Sequence, residues 1–167
     1  VPLTATPGAL DADSFVSAEG FAAFVASVAR SGEVFPPAEQ EAAARVATRE
    51  LSKPLYKGAA VTAAQALPWP RTGVLDPDRP GQELDATKIP RRVVNATYEL
   101  ALSVLRGLDV RATVTTRVVK RQELGPLKQE FADTSASAAH PLAKQSQAAY
   151  EWVAPLFRTD SDADGLP

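Results

Sequence analysis

No cysteine occurs among the 167 residues, which excludes disulfides and thiolate metal sites and suits a cytoplasmic origin. A single histidine, His140, is present. A zinc site built on several imidazoles therefore cannot form within one chain, and a histidine-dependent triad would have to use a side chain beside Pro141 in a Ser/Ala-rich stretch. An exposed loop histidine is the simpler reading. Methionine is wholly absent, as expected if the initiator is removed ahead of Val1. No apolar run approaches the roughly 18 residues of a membrane span. The start, Val1-Pro2-Leu3-Thr4, has neither a basic n-region nor an apolar h-region, so neither a spanning helix nor a cleaved export signal is expected.

Positive charge is also in short supply. Lys and Arg number 18 against 20 Asp and Glu, a formal net charge of -2, whereas a free-standing nucleic-acid binder usually carries a basic balance or stripe because phosphate neutralisation dominates its affinity. The one basic cluster besides Arg91-Arg92 is Arg117, Lys120 and Arg121, with Arg111 nearby, and no aromatic residue is interleaved from 111 to 121 to stack bases. There is no phosphate-cradling glycine loop and no nucleophile elbow. Acid pairs such as Glu39 and Glu41 suit a helix N-terminus. Neither an enzyme nor a bound cofactor or metal is expected.

What is present is enough for one domain with a core. Much of the 45% hydrophobic content is alanine, so that core should be thin, and assembly with other copies is a natural way to bury more surface. After an irregular lead-in over residues 1–16, Ser17 can cap a helix carrying Phe21, Phe24, Val25 and Val28, ending near Gly32. Pro37 starts a second helix reaching about Lys53, with Ala42, Val46, Ala47 and Leu51 on a small-residued face. Residues 75–82 are dense in turn formers. The broadest apolar stripe follows Pro90: Val93, Val94, Thr97, Leu100, Ala101, Val104 and Leu105, with Gly107 as the stop. The period then changes to two, and residues 112–131 read as a hairpin turning at Gly125-Pro126. Residues 133–139 read as a hinge. A last helix spans about 141–157, with Leu142, Ala149, Trp152, Val153 and Leu156 on its apolar side. The expected class is mainly α: a small bundle of about four helices with one β-hairpin and flexible termini. One domain covers 1–157, followed by an acidic tail, 158–167. Within that tail Asp160-Ser161-Asp162-Ala163-Asp164-Gly165 opens like an EF-hand loop but lacks the glutamate at its twelfth position.

Between the second and central helices lies Leu67-Pro68-Trp69-Pro70-Arg71-Thr72-Gly73. Each proline fixes its own φ and steers the residue before it out of helix. A stiff loop presenting an indole is expected to pin that ring in the core, making Trp69, with Pro68 and Pro70, a structural anchor. Arg71 is expected to face a neighbour. Together with Arg117, Lys120, Arg121, Tyr150, Trp152 and Phe157 it forms the expected subunit or partner interface.

These motifs occur in a recognisable order: Asp11-Ala12-Asp13-Ser14, two helices, Tyr56-Lys57-Gly58, the Trp-Pro-Arg-Thr-Gly loop, Lys88-Ile89-Pro90, a turn at Leu124-Gly125-Pro126-Leu127, and Ala154-Pro155-Leu156. In that order the chain resembles a small phage family labelled DnaT-like single-stranded DNA-binding proteins, which in turn resembles the head-tail connector (adaptor) proteins of long-tailed phages. The resemblance implies a mostly helical virion protein, made in the bacterial cytoplasm, that forms a homo-oligomeric ring, typically of twelve copies. The ring lies between the portal and the stopper (head-completion) or tail proteins and passes double-stranded DNA without binding it specifically. The family label implies the alternative, a single-stranded DNA-binding replication accessory. An intracellular helical scaffold is a third possibility. The proline-rich loop at 75–87 and the acidic tail depart from the family pattern.

Overall fold

The computed structural model describes residues 2–110, 121–124, 127–130 and 140–158, with backbone alone described for the two stretches within 121–130. The lead-in has no helix or strand, yet it is docked. The Asp13 carboxylate accepts from the Thr4 N–H at 2.8 Å and pairs with Arg45 at 2.6 Å. The Phe15 N–H donates to Thr48 Oγ1 at 3.2 Å, and Phe15 and Val16 are buried. Ser17 caps α1 (Ala18–Val28) by accepting from the Gly20 N–H at 3.1 Å. Gly20 costs helix propensity, but a Cβ there would lie 2.8 Å from the Tyr98 hydroxyl, so the position must stay bare for that ring to stack on Phe21 and Phe24.

Helix α2 (Pro37–Leu51) starts on its proline, as a missing N–H allows at the first turn. Its buried line is Ala43, Ala44, Ala47, Thr48 and Leu51, whereas Ala42 is exposed and Val46 half-buried. The face is therefore turned from the one expected, because α2 is wedged between the lead-in, α1 and α3, and Thr48 must meet Phe15. Positions 43, 47 and 51, four apart, still give the small-residued contact that lets helices approach closely.

Helix α3 (Arg91–Leu105) is central, packing on α2 and on the closing helices, with Val93, Ala96, Thr97, Leu100 and Ala101 fully buried. Gly107 ends it at φ 95°: its N–H donates to Val104 O, and the Leu108 N–H donates to Ser103 O, both at 3.0 Å. This is a Schellman stop, which needs the left-handed conformation that glycine adopts without strain. One residue earlier, Arg106 pairs with Glu33 at 2.9 Å and ties the α1–α2 connection to the end of α3. The Arg106 guanidinium holds the Glu33 carboxyl down at about 2.

Two short strands missed by the sequence reading, β1 (Ala59–Ala60) and β2 (Arg71–Thr72), pair antiparallel and close the loop that carries Trp69. Four residues are too few to show a period of two. The expected hairpin is seen where β3 (Arg121–Leu124) pairs antiparallel with β4 (Leu127–Glu130), Arg121 opposite Glu130 and Glu123 opposite Lys128 in register. The remainder of the 112–131 expectation, and the 133–139 hinge, lie outside the described residues.

The single last helix is corrected to three pieces: α4 (Pro141–Gln145), α5 (Gln147–Val153) and a 3₁₀ turn at Ala154–Leu156. Ser146 breaks the run. Its backbone is extended and its hydroxyl accepts from the Ala149 N–H, so it caps α5 in preference to continuing α4. Leu142, Ala149, Val153 and Leu156 are buried as expected, but Trp152 is 37% exposed. One core cluster joins these residues with Phe15, Phe21, Trp69 and α3. The molecule is mainly helical with one antiparallel hairpin, and no described helix is long and apolar enough to cross a membrane.

Gly58 offers a direct test of the β1–β2 closure. It sits at φ 69°, and a Cβ would come 2.1 Å from the Thr72 carbonyl oxygen. Gly58→Ala is expected to destabilise by more than about 1 kcal/mol, read as a lower urea midpoint at unchanged m-value.

Candidate functional site

The loop between the two prolines delivers its indole to the interior. Trp69 is 1% exposed, and the Trp69–Pro70 peptide is cis. The Tyr56 ring meets the indole edge-on at a 5.3 Å centroid distance, and its hydroxyl donates to Leu51 O at the end of α2. Burial raises the Tyr56 phenol above its usual range. Phe157 packs on the other side of Tyr56 at 5.5 Å, with His140 stacked on it at 4.8 Å and Tyr150 at 6.0 Å.

Backbone pairing locks this aromatic column. Tyr56 and Phe157 form an antiparallel bridge in which the Lys57 N–H donates to Leu156 O at 3.0 Å and the Arg158 N–H to Leu55 O at 2.8 Å. Phe157 is therefore buried, which corrects its assignment to an exposed interface. Tyr150 is half-buried in the same cluster. Trp152 keeps an exposed face, with the Arg92 guanidinium 6.0 Å from its ring centre.

Arg71 is likewise corrected. Its guanidinium donates to the carbonyls of Lys57 (2.7 Å), Pro68 (3.2 Å), Tyr56 (3.4 Å) and Gly58 (2.6 Å). The planar fork is spent on stapling the Trp69 loop to residues 56–58. Four carbonyls converging on one point need a cation with that many donors, which lysine could not supply in the same plane. Arg117 and Lys120 lie outside the described residues. Arg121 lies on β3, and its side chain is not described.

Outside this staple lies a cleft of about 920 Å³ between the end of α2, residues 55–58, the 73–77 turn and the start of the tail. Four cationic residues line it, Lys53, Lys57, Arg71 and Arg158, against one acid, Asp76. Lys53 pairs with Glu50 from behind, and Asp76 accepts from the Asp78 N–H. Leu55 and Leu75, 75% and 64% exposed, add apolar surface. Lys53, Leu55 and Arg158 were missed as a set because Arg158 lies more than a hundred residues from the other two. The signal that could have found their place is Pro54 ahead of Tyr56-Lys57-Gly58, which marks a turn leaving α2. No group of three or more His, Asp or Glu residues able to hold a metal occurs among the described residues. No phosphate loop is formed there either, and the cleft's chemistry is that of a basic, partly apolar docking surface.

A family model described as "Putative DnaT-like ssDNA binding protein" matches residues 3–164. The chain belongs to this family. No curated protein and no solved structure matches it. The match to this DnaT-like family runs through both helical halves and the hairpin, so it includes every residue of the aromatic column and the cleft.

His140 is more than a loop histidine. Its Nδ1 accepts from the Leu142 N–H at 3.2 Å and caps α4, which requires the neutral ring, and burial lowers its pKa from the ordinary 6.5. The folded state therefore binds fewer protons than the unfolded chain just below 6.5, and the contribution present above that pH is lost as pH falls toward the lowered folded pKa. A melting-temperature series between pH 8 and 5 is expected to decline below 6.5, and His140→Asn, which keeps a capping acceptor, is expected to flatten that decline. Trp69→Ala is expected to cost about 3–5 kcal/mol in denaturant unfolding. Arg71→Lys should cost roughly 1–3 kcal/mol on the same measurement, since carbonyls then lose their donors.

Proposed function

We propose that the chain is a structural virion protein, a subunit of a homo-oligomeric connector ring placed between the portal and the head-completion (stopper) or tail proteins of a long-tailed phage. In this role it passes double-stranded DNA without gripping it and carries out no catalysis. The observation that carries the reading is the β3–β4 hairpin. Its two strands pair with each other and with no other described strand, while the helical core is already closed from Phe15 to Phe157. A two-stranded hairpin is marginal in water and leaves open edges that pair with another chain. A near-neutral charge, -2 formally, also suits a DNA conduit.

A second reading, a single-stranded DNA-binding accessory, is favoured by the description of the DnaT-like family and by the basic cleft. Against it, the largest aromatic rings beside the cleft, Tyr56 and Trp69, are buried, so no base can stack on them.

Sedimentation and negative-stain microscopy of the purified chain, paired with a single-stranded oligonucleotide titration at two salt concentrations, separate the two. The connector reading expects closed rings and little salt-sensitive affinity. A monomer whose affinity falls steeply with salt, at a slope of about −0.7 per phosphate contacted, would favour the accessory. Gln122→Pro in β3 is expected to abolish rings while leaving the melting temperature of the helical body unchanged.

A further inference from the structure

The open edges of the β3–β4 hairpin have a counterpart elsewhere in the fold. β1 and β2 also form a two-stranded sheet, and the β1 strand, Ala59–Ala60, lies exposed at the surface. Exposure continues on both sides of it, from Gly58 to Ala64, with Val61 42% exposed. Native edge strands are commonly guarded by charge or proline, which deter pairing with another chain. From Gly58 to Leu67 neither occurs, in a chain that is 23% charged. We propose that β1 is the acceptor edge for the β3–β4 hairpin of a second copy of this chain, which adds its strands to the β1–β2 sheet. The proposal rests on the connector reading and deepens it by naming the surface that receives each hairpin.

The unguarded edge is also pre-formed. Gly58 packs against the Thr72 carbonyl with no room for a Cβ, and Arg71 donates to the Gly58 carbonyl at 2.6 Å. The Thr62 N–H donates to Gln65 Oε1 at 3.1 Å and fixes the turn that follows. The strand is thus held extended before any partner arrives, so pairing costs little ordering. The hairpin supplies what such an edge takes. Its four-residue strands bond to each other and to no other described strand, which leaves alternate N–H and C=O groups turned outward. In strand addition those main-chain groups provide the affinity. Two β1 edges meeting each other would make a symmetric contact and stop at a dimer. A hairpin on β1 is a head-to-tail contact, in which each copy gives one hairpin and receives another, and this is the kind of contact that closes a ring.

Because the chain has no cysteine, one thiol can be placed in each molecule. Full-length Ala60→Cys is mixed with full-length Gln122→Cys or Gln129→Cys, which stand opposite each other in the hairpin register, and treated with a short bismaleimide. Only a contact between copies can join the two proteins. In the control, Val34→Cys on the α1–α2 connection, 86% exposed, replaces Ala60→Cys. The expected result is a mixed cross-link that forms at least tenfold faster with Ala60→Cys than with Val34→Cys at one hairpin position or both. Sedimentation of the same mixtures is read in parallel. Rings that form while the mixed cross-link is no faster than the control overturn this proposal and leave the connector reading standing. Faster joining of Ala60→Cys to itself than to either hairpin position also overturns it, in favour of a symmetric β1–β1 contact. Monomers alone, with no mixed cross-link, overturn the connector reading and this proposal together.

Discussion

The fold depends on one closure, the pairing of residues 55–57 with residues 156–158 across the aromatic column. Without it Tyr56 would lose Phe157, and Trp69 would lose the ring that covers its edge. An indole is too large to bury by loop packing alone, and a thin alanine-lined helix interface such as that between α2 and α3 has no room for it. The molecule instead builds an extension of its one core cluster beyond the end of α2. Tyr56 fixes it to α2 through the Leu51 carbonyl, and Arg71 ties its floor to residues 56–58.

Charge in this chain is used in two distinct ways. Glu33 with Arg106, Asp13 with Arg45 and Asp78 with Arg92 join segments far apart in sequence, and each restrains a connection that has little apolar surface of its own. Such partly exposed pairs contribute modestly to stability and chiefly fix geometry. The cleft cations, by contrast, gather at one surface where only Asp76 opposes them from within the lining. A balanced total therefore conceals a local excess, which is why net charge alone speaks weakly about partners.

The helical part of the fold was legible in the sequence where periodicity and caps coincide. Ser17 marks the start of α1, Pro37 that of α2, and Gly107 the end of α3, because each supplies a specific backbone need at a terminus. Legibility failed where a polar residue had two uses. Ser146 could have continued a helix and instead caps the next one. Phe157 and Arg71 were misplaced for a related reason: their partners are a ring 101 residues away and four backbone carbonyls, and carbonyls carry no side-chain identity that a pattern could reveal. Trp69 is buried, and its surroundings in the sequence suggest why: prolines on both sides leave few conformations, and burial of the largest side chain dominates among them. The cleft was invisible because its cations come from three separate stretches, Lys53 and Lys57 leaving α2, Arg71 on β2 and Arg158 past the 3₁₀ turn, which only the fold brings together.

The Tyr56–Phe157 bridge also orders events during synthesis. Helices α1, α2 and α3 can form as the chain leaves the ribosome, but their open end stays unsealed until Phe157 has emerged, more than a hundred residues after Trp69's first partner, Tyr56. Until then the Tyr56 ring lacks its Phe157 neighbour and the side of α3 that meets α5 remains in water. A contact this long in sequence makes the sealing of that end a later step than the packing of α2 on α3.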